Sequence, residues 1–229
     1  MTLYRLISLI AFLICFISLT YHFLRLIRLG SPKDYSFKTG NLKSAISYSL
    51  AGAMNPLKKE SAYLHLPTYT AGLLYHIGTF ISIAVFFLFI FRIGFAYTLQ
   101  WVLICVLTAS SVSGFGIFLK RVIVKKLRFL SNPDDYISNL LVTAFQIFTL
   151  IVFVKGIFTP YYYICAGILF LYLPLGKLKH SLYFFAARYH LGFFYGWRGI
   201  WPARLKKNYI YYHTSERSGG PVKSHGQTE

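Results

Sequence analysis

The stretch TYTAGLLYHIGTFISIAVFFLFIF, residues 68–91, decides the fold class. It contains no Asp, Glu, Lys or Arg. A hydrocarbon core about 30 Å thick asks for roughly 20 such residues in a helix. Within it, far from either end, stands Tyr75-His76-Ile77-Gly78. A neutral imidazole carries two polar nitrogens, and hydrocarbon offers neither a partner. An ionisable residue at that depth is a functional candidate whose ligand or partner has to be named.

Four more apolar stretches of spanning length lie near 3–28, 94–119, 137–155 and 158–184. The first has only Arg5 before its apolar run and no small-residue cleavage site after it, so it reads as a retained span. The expectation is an all-α, integral membrane five-helix bundle over residues 1–202. A basic, largely disordered tail follows over 203–229, because its Ser, Gly, Lys and Arg residues offer little to bury. Charged residues make up 13% of the 229, about half the usual globular share, which leaves too few for the surface of a soluble domain.

Net charge is +18, from 24 basic and 6 acidic residues. The basic residues cluster between spans, so topology accounts for them better than nucleic acid does, and no nucleic-acid partner is expected. Of the 24, only Arg5, Arg92 and Lys155 fall on one side; the other 21 fall on the opposite side. The positive-inside rule then puts the N-terminus outside and the C-terminus in the cytoplasm of a cell membrane. Ser131-Asn132-Pro133-Asp134-Asp135 is a helix-start signature, with acids at the positive end of the fourth span. Residues 41–54 space Leu42, Ala45, Ile46, Ser49, Leu50 and Ala53 as a short helix would, lying at the interface or under a partner.

Cys15, Cys105 and Cys165 stand singly in apolar stretches, and no CxxC or CxxCH occurs. That leaves no spacing for an iron–sulfur cluster, a zinc site or covalent haem. Four histidines remain: His65 and His76 on the second span, His180 and His190 on or beyond the fifth. The simplest single explanation for them is axial ligation of non-covalent haem b, one or two per chain. Because the two spans run antiparallel, His76 pairs with His180 towards the outside and His65 with His190 towards the inside. His65 reads equally as an interfacial residue before Pro67, and His190 as a wet residue at the cytoplasmic edge. His22, late in the first span, is a further ligand or quinone-contact candidate. Lys179, Arg188 and Arg198 are candidates to pair with haem propionates, although topology alone also puts basic residues there. Gly72, Gly78, Gly114 and Gly116 would let helices or a flat macrocycle approach closely.

Tyr75-His76-Ile77-Gly78 in the second span and Leu175-Gly176-Lys177-Leu178-Lys179-His180 closing the fifth resemble the gamma subunit of respiratory nitrate reductase. Ser131–Tyr136 and Gly192–Gly199, with Arg198, look closer to membrane subunits of heterodisulfide-reductase-like and sulfite-reductase-linked electron-transfer complexes. The resemblance covers most of residues 1–202. It implies a dihaem cytochrome b that exchanges electrons between menaquinone or ubiquinone, as substrate, and a cytoplasmic iron–sulfur or heterodisulfide-reductase-like partner subunit. The chain departs from the nitrate-reductase pattern where Val85-Phe86-Phe87 stands in place of a second outward histidine. Two rival readings are a transporter, whose membrane histidines relay protons and need acidic partners, and a haem-free membrane anchor, which has no use for His76 and His180. All six acids lie outside the five spans as drawn, which counts against the transporter.

Overall fold

The structure, a computed structural model, describes residues 2–30, 34–54 and 66–202. His65 and the tail lie outside those residues. Among the described residues every regular element is helical: α1 Leu3–Leu29, α2 Leu42–Leu50, α3 Leu66–Ile90, α4 Tyr97–Ile123, the single turn α5 Lys125–Phe129, α6 Pro133–Val154, α7 Thr159–Tyr172 and α8 His180–Trp197. Four of these, α1, α3, α4 and α6, are long and apolar enough to cross a membrane. This fits a multi-pass membrane protein, and the first four expected spans coincide with them to within a few residues.

The expected fifth span, 158–184, is not one helix. α7 ends at Tyr172, a 3-10 turn follows at Lys177–Lys179, and the chain bends by 68° into α8. Pro174 has no N–H to give the helix, and its ring clashes with the carbonyl one turn back. Gly176 closes the turn by donating its N–H to the Tyr172 carbonyl at 2.9 Å. The start of α6 meets expectation in detail. Asn132 accepts from the Asp135 N–H and Asp135 accepts from the Asn132 N–H, a complete capping box with Pro133 at the first helical position.

Lipid tails are as apolar as leucine, so the hydrophobic effect does little to hold such helices together; close packing and buried hydrogen bonds do. α1 packs along α7, α3 along α4, and α6 touches α3, α4 and α7. Where these helices meet, Phe86, Phe145, Tyr162, Tyr163 and Phe170 are fully buried, with successive ring centroids 5.0–6.4 Å apart. Gly78 and Gly114 serve the helix contact between α3 and α4: a Cβ on the first would overlap Ser110, and on the second the Tyr75 ring. Gly72 and Gly116 face open space and carry no such contact.

α8 does not continue the line of α7. It lies instead on α2 and reaches the end of α1. Gly192 and Gly196 meet Ala45 and Ile46, and Ser49 Oγ donates to the Arg188 carbonyl at 2.7 Å. The helix expected over 41–54 is thus present and packs against this chain's own α8. A Cβ at Gly192 would stand 2.7 Å from the Ile46 backbone, so Gly192→Leu should force the two helices apart. The expected cost is about 1–3 kcal/mol, seen as earlier thermal unfolding in detergent, whereas Gly72→Leu should leave the transition where it is.

Candidate functional site

His76 lies ten residues into α3, about 15 Å along its axis from Leu66. The turn that carries it is held from behind. Gln146 of α6, fully buried, donates to the Tyr75 carbonyl at 3.1 Å and to Thr79 Oγ1 at 2.8 Å. Ser110 of α4 donates to Gln146 Oε1 at 2.9 Å, and the Tyr75 hydroxyl donates to the Asn139 carbonyl at 2.9 Å. A buried amide with all these partners sets the register of three helices at the residues flanking His76.

His180 is the first residue of α8, delivered there by the break after Tyr172. Its ring and that of His76 are 6.4 Å apart, centroid to centroid, at an interplanar angle of 62°. His180 Nδ1 is 2.8 Å from the Lys177 carbonyl. A carbonyl only accepts, so Nδ1 carries the proton, and in the neutral ring Nε2 keeps its lone pair. His76 has no hydrogen-bond partner among the described residues, and both histidines are exposed. The two rings line one cavity of about 320 Å³, walled by Phe80, Ile83, Val142, Leu169, Leu173 and Leu178.

One end of the cavity is polar. Asp135, 6% exposed, accepts from Arg121 at 2.9 Å and from Lys177, and its other oxygen takes the Asn132 N–H at 3.0 Å. The pair of acids at the start of α6 is therefore more than a helix-start signature. Asp135 lines the cavity with His76 and His180. The expectation that all six acids lie outside the spans is corrected for two of them: the spanning helix begins at Pro133, not at 137, and takes in Asp134 and Asp135.

The other candidates are elsewhere. His190 turns to α1, where its Nε2 donates to the Leu26 carbonyl at 3.3 Å and its ring lies over Gly30. A pairing of His190 with His65 requires α8 to continue the line of α7, and the 68° bend removes that basis. Arg198 does not reach the cavity: it pairs with Asp34 at 2.9 Å and stacks on Phe194 at 3.8 Å. Arg188 lies over the Phe184 ring at 5.6 Å, also away from the cavity. The cations at the cavity are Arg121 and Lys177, which the sequence presents only as members of basic loops. His22 packs beside Tyr21 and is not among the cavity residues.

Among the described residues no three His, Cys, Asp or Glu side chains gather to hold a metal ion. Two imidazoles with centroids 6.4 Å apart are too few for a bare ion but sufficient for a metal whose other ligands come from a macrocycle. No protein-family model matches the chain, and neither a curated protein nor a solved structure matches it.

The contact of Arg198 with Asp34 ties the loop before α2 to the end of α8, with help from Trp197 Nε1, which donates to the Ser36 carbonyl at 2.8 Å. Hydrogen bonds from Ser36 and the Arg198 charge hold the Asp34 carboxyl below its ordinary 3.8. A lowered folded value means the tie is fully present above 3.8 and lost as pH falls through the lower value. The Trp197 indole N–H resonance should stay constant from neutrality to about pH 4 and move only below it; in Asp34→Asn it should sit at the released position throughout.

Proposed function

We propose that this chain is a membrane cytochrome b subunit that holds one haem b between His76 and His180. It would relay electrons between membrane quinone and a cytoplasmic redox partner, of the iron–sulfur or heterodisulfide-reductase-like kind. The observation that carries the reading is the pair of imidazoles 6.4 Å apart on one cavity, one with its tautomer set by a backbone carbonyl. When bound, haem supplies reversible one-electron exchange at its iron. His76 and His180 would hold it, and the apolar residues along the cavity wall would lower the local dielectric, which tunes potential. Arg121 and Lys177 are the bases near enough to face its propionates.

One haem is favoured over two. Phe86, where the nitrate-reductase pattern has a further histidine, is fully buried among Tyr162, Tyr163 and Phe170. His190 is committed to Leu26. The 21 basic residues on one side support an outside N-terminus, a cytoplasmic C-terminus and a cell-membrane location, with the basic face towards the partner.

The transporter reading has one observation in its favour, Asp135 in the cavity with two imidazoles. That carboxylate is paired with Arg121 and Lys177 on one oxygen and takes the Asn132 N–H on the other, which favours a fixed anion over a mobile proton acceptor. A difference spectrum, reduced minus oxidised, separates the readings. Full-length protein purified in detergent should show a b-type haem at one per chain. His76→Ala and His180→Ala should each lose it, while His190→Ala should keep it. Well-folded protein that neither carries nor takes up haem would sink the proposal.

A further inference from the structure

The break between α7 and α8 is gripped from one side by the first turn of α6. Asp134 receives the hydroxyl of Tyr172, the last residue of α7, and Ser138 Oγ at 3.0 Å. Asp135 receives the ammonium of Lys177, the first residue of the 3-10 turn that leads into α8. Gly176 sits between the two grips, where a Cβ would stand 2.9 Å from the Asp134 carboxylate. The same Lys177 presents its carbonyl to His180 Nδ1 at 2.8 Å. One residue thus has its side chain tied to α6 and its backbone tied to the imidazole.

We infer that Asp135, acting through Lys177, is a positioning residue for His180: it fixes the turn whose carbonyl holds the imidazole in the Nδ1–H form and leaves Nε2 free to bind. As a statement about a haem ligand, this rests on the function proposed above; as a statement about an imidazole tautomer, it does not. An ion pair across the break adds a hold that the helix lacks there, because Pro174 has no N–H to give and the Gly176 N–H turns back to the Tyr172 carbonyl. Partners of this kind that orient a metal-binding imidazole typically contribute 10- to 100-fold in metal affinity.

Lys177→Met isolates the effect. It removes only the ammonium, while Asp135 keeps both the Asn132 cap and Arg121, so α6 retains its start. Lys177→Arg restores the charge and reach. In full-length protein prepared without haem and labelled with 15N at histidine, the wild type should show His180 as a single Nδ1–H tautomer. Lys177→Met should show a mixture, and Lys177→Arg the wild-type pattern. In haem-loaded protein, Lys177→Met and Asp135→Asn should shift the midpoint potential in the same direction, change the ferric EPR signal and weaken haem binding about 10-fold or more, with Lys177→Arg near wild type. An unchanged His180 tautomer in Lys177→Met overturns the inference, even if wild-type protein binds haem. A tautomer that responds in a chain that binds no haem supports the positioning role and overturns only the ligand reading.

Discussion

Among the described residues, the Asp135 carboxylate joins three parts of the molecule at one point. It closes the capping box of α6, takes Arg121 from the end of α4 and takes Lys177 from the turn before α8. A buried charge with its partner removed is strongly destabilising, and Asp135 has three partners over its two oxygens. Its position matters because α7 ends halfway through what would otherwise be a fifth span. The chain after Tyr172 needs an external hold, and the acids of α6 supply it. His180 faces His76 as a consequence of that hold.

The same logic runs through the rest of the bundle. In an apolar solvent, α3, α4 and α6 gain little by burying leucine, so their register is set by Gln146 and Ser110 and by glycines that allow close approach. Those contacts surround the residues that carry His76. Beside them a cluster of Phe and Tyr rings fills the bundle, and its members Val142 and Leu169 also wall the cavity, so the aromatic core and the cavity share one surface.

Four spans were legible in the sequence because a long run without charge has few alternatives to a spanning helix. The break in the fifth was not, because Leu173-Pro174-Leu175-Gly176 is apolar enough to pass as part of a span, and hydropathy takes no account of a missing N–H. His76 was legible from its depth alone. The pairing of His190 was not, since it depended on the direction of α8, which the break decides. Arg121 and Lys177 were concealed for a different reason: a loop rich in basic residues explains each of its members equally well, so none stands out. Asp135 could have been found by scarcity. With six acids in 229 residues, two adjacent ones at a helix start opposite a basic turn ask for a role beyond capping.

The cavity raises a last question, whether two imidazoles and a carboxylate in one pocket are built to move protons or to hold a group. A relay needs members that gain and lose a proton readily and reorient between partners. Here Asp135 is held on both oxygens, by Arg121 and Lys177 on one and the Asn132 N–H on the other. His180 is held on Nδ1 by a carbonyl that only accepts, so that side of the ring has nowhere to pass a proton on. With Asp135 and His180 Nδ1 held, His76 and the His180 Nε2 are the groups left without a partner among the described residues, which supports the proposal of a ligand between the two rings over a path through them.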